Sequence, residues 1–170
     1  MCGIFGLINF DNSSVEMSQL RIMAEKMIHR GPDDEGFWKD NNVAIGMRRL
    51  SIIDIEGGHQ PITNEAGDIH LVMNGEIYNY KELRLELIEK GHKFSSNSDV
   101  EVIIHLYEEM GTDCIHKLNG MFAFSLYDQS KKRMWIVRDR LGIKPLYYHY
   151  NKEKFVFSSD LNSLNAVIKA

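Results

Sequence analysis

Only two cysteines, three prolines and two tryptophans occur among the 170 residues. With Cys2 and Cys114 as the only thiols, a disulfide-stapled scaffold is excluded. One bridge is the maximum, and without a secretory signal two reduced thiols in a cytoplasmic setting are expected. No apolar run approaches the roughly 18 to 20 residues of a membrane span. The first residues lack the basic region and longer apolar core of a signal peptide. Twenty basic against twenty-four acidic side chains leave a net charge of −4, so no global basic field exists to hold nucleic acid or an anionic membrane. Also missing are C-x-x-C and H-E-x-x-H spacings, a Walker-type glycine loop, G-x-G-x-x-G and G-x-S-x-G. Cys114-Ile115-His116 and scattered histidines do not make a metal-ligand pattern, and no metal site is expected. Repeats, low-complexity tracts and linkers are lacking too, which makes residues 1–170 one domain.

What is present is an ordinary globular composition, 44% hydrophobic and 26% charged, long enough to bury roughly 70% of the unfolded surface. Cys2 to Phe10 is apolar and reads as a strand. Leu20, Met23 and Met27 recur at helical spacing over Glu16 to Ile28, and His29-Arg30-Gly31-Pro32-Asp33 breaks that helix. Strands are expected at 37–39, 43–50 and 69–73. A helix spans Lys81 to Lys90 with Gly91 at its C-terminal cap position. A second starts at Ser98-Asp99-Val100-Glu101, an S-x-x-E capping box, and buries Val100, Ile103, Ile104 and Tyr107. Strands at 121–127, 134–137, 146–150 and 155–157 follow, joined by turn-length connections that predict antiparallel pairing, and a short helix covers 161–167. Strands, two adjacent helices and more strands do not alternate as in a parallel sheet. Two antiparallel sheets with helices outside fit this order.

Four local patterns could carry chemistry, and each has an ordinary structural alternative. Cys2 is a small packing residue at a strand start, or a nucleophile. Once Met1 is removed, its own α-amine, with a pKa near ~7.7 to 8.0 against ~8.5 for the thiol, could serve as base. Asn74-Gly75 is a strong hairpin-turn signal, or an amide and a backbone N–H that hold an oxyanion. Arg48 and Arg49 are a solvated pair, or one of them forks onto a carboxylate. Asp99 complements a helix dipole, or receives a ligand's ammonium.

Taken in order, Cys2-Gly3-Ile4-Phe5-Gly6, His29 to Asp33, Arg49-Leu50-Ser51-Ile52-Ile53-Asp54, Asn74-Gly75-Glu76-Ile77-Tyr78-Asn79, Ser98 to Glu101 and Arg138 to Tyr147 form one pattern. It closely resembles the glutaminase domain of glutamine-dependent asparagine synthetases, the class II amidotransferases, from residue 2 to about 165. The resemblance implies an α+β, four-layer αββα sandwich of the N-terminal-nucleophile hydrolase type. It implies Cys2 as nucleophile, with the Asn74 side chain and Gly75 N–H as oxyanion donors. Arg49 would grip the α-carboxylate of L-glutamine, Leu50, Ser51, Ile52 and Ile53 would line the pocket, and Glu76 and Asp99 would meet the α-ammonium. Glutamine would be hydrolysed without a cofactor and its ammonia passed to an acceptor-activating synthetase domain or subunit. ATP and magnesium would serve only that second half, whose S-G-G-x-D phosphate loop does not occur in these residues. Homodimerisation stays open. Two positions depart from the family pattern: Met47, commonly histidine, and Asp160, where a glutamate usually follows the serines. A binding or regulatory module on the same fold would be expected to lose Cys2, Arg49, Asn74 or Asp99, and all four are present.

Overall fold

The structure, a computed structural model, describes residues 1–50 and 58–168. Its nine strands among the described residues form two antiparallel sheets. β1 (Gly3–Asn9), β2 (Asp34–Asp40), β3 (Val43–Arg49), β8 (Tyr147–Tyr150) and β9 (Lys154–Ser158) make one, in the order β2-β3-β1-β9-β8. β4 (Ile62–Thr63), β5 (Ile69–Ile77), β6 (Gly120–Asp128) and β7 (Arg133–Arg138) make the other, in the order β4-β5-β6-β7. Helices α1 (Met17–Glu25) and α4 (Leu161–Ile168) cover the five-stranded sheet. Helices α2 (Tyr80–Glu89) and α3 (Glu101–Met110) cover the four-stranded one. The expected four-layer αββα arrangement is therefore the observed one.

Period-two alternation along the strands sorts the core into three layers. Phe5 and Leu7 of β1 and Ala44 of β3 face α1, where they meet Leu20, Met23 and Met27. Ile4, Ile45, Met47, Val72, Ala123 and Phe157 point the other way and fill the space between the sheets. Leu71 and Met73 of β5 and Phe122, Phe124 and Leu126 of β6 face the α3 side. Helix α3 is buried from Glu101 to Tyr107, as expected of a helix with apolar residues on most of its faces. Cys114 lies in that last layer, where burial pushes its thiol up to about 12. Both cysteines are free.

Several local expectations are corrected. Asn74-Gly75 is not a turn: β5 continues to Ile77, with Asn74 opposite Ala123 and Gly75 opposite Phe122. Gly75 is not among the glycines with positive φ. Its missing side chain serves close approach instead, since a Cβ there would stand 2.3 Å from the Met121 carbonyl oxygen. The Ser98–Glu101 capping box does not form. Glu101 turns back to accept the N–H groups of Ser95 and Ser96 at 2.7 and 2.8 Å, and the helix starts at Glu101 rather than Ser98. β6–β7 and β8–β9 pair antiparallel as expected, whereas the segment from β7 to β8 crosses from one sheet to the other. β4 and a 3-10 turn over Gly111–Lys117 had no legible signal. Gly91 does end α2, with φ +100°.

Both departures from the family pattern have structural roles. Met47 is 1% exposed and packs between the sheets. Asp160 accepts the N–H groups of Asn162 and Ser163 at 2.8 and 3.2 Å, capping α4, a task for which a short carboxylate is well suited.

Phe157 is fully buried between the sheets whereas Leu85 on α2 is 64% exposed. Phe157→Ala should lower unfolding free energy by about 3–5 kcal/mol, and Leu85→Ala by no more than about 0.5 kcal/mol. Urea unfolding monitored by circular dichroism would measure both.

Candidate active site

The inner layer is apolar through most of its extent and becomes polar at one end. On β1, β3 and β5 the inward positions run Ile4 to Cys2, Met47 to Arg49, and Val72 through Asn74 to Glu76. Strand pairing brings these ends together, with Gly3 opposite Arg48 across β1 and β3. The result is a pocket of about 210 Å³ whose lining includes Cys2, Arg49, Leu50, Asn74, Gly75 and Glu76. Asp99 closes it from the segment leading into α3, together with Ser98 and Val100. Every described residue assigned to the site by resemblance thus lines one cavity. Ser51, Ile52 and Ile53 lie outside the described residues.

Cys2 is half-buried and its sulfur is held by backbone. Leu50 N–H points at Sγ from 3.4 Å and the Leu50 carbonyl lies 3.6 Å from it. Arg30 donates from Nε to the Cys2 carbonyl at 3.1 Å, so the H-R-G-P-D break fastens Cys2 as well as ending a helix. Asn74 is 2% exposed, and its Nδ2 is buried without a hydrogen-bond partner among the described residues. A buried, unmatched amide donor is costly, and an incoming oxygen would satisfy it.

The two arginines separate by strand alternation. Arg48 pairs with Glu35 at 2.8 Å and donates to the Gly31 carbonyl, a structural role. Arg49 is 5% exposed and faces the pocket. Two carboxylates, Glu76 and Asp99, line the same pocket. Asp99 accepts Ile77 N–H at 2.8 Å. Burial pushes the Asp99 carboxyl above its usual range, and the Glu76 charge adds to the effect. A guanidinium and two carboxylates around one small cavity suit a zwitterion of amino-acid size.

Residues without an assigned role also reach the pocket. Gln60 accepts Met73 N–H through Oε1 at 2.7 Å and had no sequence signal. Lys144, 8% exposed, lines the wall, and the Arg138-to-Tyr147 motif did contain it. Asp139 builds that loop: its carboxylate accepts the N–H groups of Leu141, Ile143 and Lys144 at 3.1, 2.9 and 3.0 Å. Although burial opposes its charge, those bonds hold the carboxyl below its ordinary value.

The family profile described as "Glutamine amidotransferase domain" matches residues 1–170. The chain belongs to this family. It is 44% identical over 167 residues to asparagine synthetase (glutamine-hydrolyzing) 2 of Bacillus subtilis, covering 96% of this chain and 22% of that protein. It is 39% identical over 171 residues to asparagine synthetase B (glutamine-hydrolyzing) of Escherichia coli, covering 99% and 31%. The chain therefore spans less than a third of the length of either relative. Among solved structures, glutamine phosphoribosylpyrophosphate amidotransferase from B. subtilis superposes with a TM-score of 0.81 at 20% identity, covering 98% of this chain and 43% of that one. A structure titled as the allosteric regulatory enzyme of purine biosynthesis gives 0.83 at the same identity and coverage. These likenesses establish the N-terminal-nucleophile amidotransferase fold.

The raised Asp99 carboxyl has a pH signature. Folded protein holds this proton to higher pH than the unfolded chain does, so its contribution to stability falls as pH rises from the ordinary carboxylate value through the raised one. In Asp99→Asn, which keeps an acceptor for Ile77 N–H, that loss should disappear. Carboxyl NMR titration and urea midpoints across the same pH range would check it.

Proposed function

We propose that this domain hydrolyses L-glutamine to glutamate and ammonia through a γ-glutamyl thioester on Cys2, and supplies the ammonia to an acceptor-activating synthetase domain or subunit, in the manner of asparagine synthetases. The observation that carries this is the convergence of Cys2 Sγ, the unmatched Asn74 amide, Arg49 and Asp99 on one cavity. Arg49 binds the α-carboxylate in forked geometry, and Asp99 and Glu76 take the α-ammonium. That places the side-chain amide of glutamine toward Cys2.

The Cys2 thiol gives its proton to the α-amine exposed when Met1 is removed, and the thiolate attacks the amide carbon. The developing oxyanion is met by Asn74 Nδ2 and Gly75 N–H, donors already in place before charge develops. Collapse of the tetrahedral intermediate breaks the C–N bond, and the ammonium on Cys2 returns its proton to the departing nitrogen, which leaves as ammonia. A water, activated by the same amine, then cleaves the thioester and restores the thiol. None of these steps calls for a nucleotide or a metal ion. A cytoplasmic setting fits the two free thiols.

Purified protein should release glutamate from glutamine without ATP and equally in the presence of a chelator, and Cys2→Ser should abolish most of this while keeping the fold. Release restored only by added zinc would overturn the mechanism. Arg49→Ala should act mainly on KM, because its contact exists in ground and transition states alike. Asn74→Ala should act on kcat, by about 10²- to 10³-fold.

With Met1 in place the Cys2 nitrogen is a peptide nitrogen and not a usable base. A homogeneous sample retaining Met1, verified by intact mass, should therefore fold normally and release no glutamate. Equal rates from retained and processed forms would show that the amine is not the base.

A further inference from the structure

On the far side of the four-stranded sheet, the turn after α2 and the middle of α3 bring His92, His105 and Glu108 together. One donor atom from each lies within 4.8 Å of the other two. Glu108 Oε2 stands 2.9 Å from His105 Nδ1 and 3.5 Å from His92 Nδ1. Two ligands on a tetrahedral zinc ion, each about 2.0–2.1 Å from the metal, are about 3.3–3.5 Å apart. The two separations to Glu108 lie at or just below that value, and the remaining one, within 4.8 Å, is closed by side-chain rotation as the ion enters.

The outer nitrogens add an independent indication. His92 Nε2 faces Glu109 Oε1 at 3.1 Å. His105, 1% exposed, directs Nε2 toward Glu101 Oε1 at 3.8 Å, too far for a hydrogen bond, and this nitrogen has no hydrogen-bond partner among the described residues. Metal-binding histidines usually give their second N–H to a carboxylate, which fixes the tautomer and ring orientation. His92 has such a carboxylate in hydrogen-bond reach, and Glu101 lies just beyond reach of His105, with both Nδ1 atoms turned to Glu108. Phe94 packs against the His105 ring at a centroid distance of 4.6 Å, shielding this side from water.

We propose that His92, His105 and Glu108 form a binding site for a zinc-class divalent transition-metal ion, which fastens the end of α2 to α3. Two imidazoles and one carboxylate suit zinc, cobalt or nickel, whereas magnesium and calcium prefer oxygen donors throughout. Water completes the tetrahedron. The ion is structural: Glu108 lies eight residues beyond the pocket-lining Val100, about 12 Å along the helix axis, so glutamine chemistry is not routed through it. The His92-x12-His105-x2-Glu108 spacing is not a recognisable sequence motif, because two separate elements supply the ligands.

The test is titration of the full chain with cobalt(II), read by its visible d–d absorption, followed by displacement with zinc(II) and a thermal unfolding series. Expected are one saturable site per chain, no competition from millimolar magnesium, and a melting temperature that rises with zinc concentration. His92→Ala and Glu108→Gln, checked for folding by circular dichroism, should lose the absorption. Glu109→Gln should weaken binding by about 10- to 100-fold, and Cys2→Ser should leave it intact. Absence of a saturable signal in the unmodified protein would overturn the proposal. So would binding that survives in His92→Ala and Glu108→Gln, or that vanishes in Cys2→Ser, which would place the metal on the thiol.

Discussion

The central position of β1 in its sheet is the constraint on which the pocket depends. Hydrogen-bonded on one side to β3 and on the other to β9, this strand cannot fray as chain termini usually do. Ile4 donates its N–H to Ser159 Oγ at 3.0 Å and accepts Ser159 N–H at 2.8 Å, so the ladder continues to within two residues of Cys2. Arg30 then takes the Cys2 carbonyl. The apolar Gly3 to Leu7 run is buried on both faces of the sheet, which gives Cys2 the rigidity that the proposed nucleophile requires.

From that anchor, the cavity follows as the place where the layer between the sheets ends. Ile4, Ile45, Met47 and Val72 pack against one another, and the next inward positions are Cys2, Arg49, Asn74 and Glu76. The same two-residue period that builds the core therefore delivers the polar groups. Their burial makes them consequential: an unmatched amide donor and a carboxyl whose charged form burial disfavours are both relieved by a ligand with the complementary group.

Helix α3 joins two polar regions through one rigid element. Its leading segment carries Asp99 to the pocket, and its middle carries His105 and Glu108 to the turn after α2. The Glu101 carboxylate, bound by Ser95 and Ser96, fixes the approach to the helix and so the placement of Asp99. The Asp139 loop does the same for Lys144 on the opposite wall. In both cases one buried carboxylate gathers neighbouring backbone N–H groups and converts an irregular segment into a defined one.

Much of this was legible in the order of residues. Apolar, β-prone runs marked the strands, the Leu20-Met23-Met27 spacing marked α1, and six motifs in sequence pointed to the family and to Cys2, Arg49, Asn74 and Asp99. Local signals failed where long-range pairing outweighed them. Asn-Gly favours a turn on its own, but nine residue pairs with β6 hold it in an extended strand. Ser-x-x-Glu favours a cap, but Glu101 found better-placed donors in Ser95 and Ser96. The sequence by itself determined which residues could bury and which could react, because period and chemical type are local properties. Only the tertiary structure decided which of two adjacent arginines enters the cavity, that Gln60 and Lys144 join it, and that two histidines thirteen positions apart meet one glutamate. Those outcomes depend on how sheets and helices stack, and stacking is set by the whole chain at once.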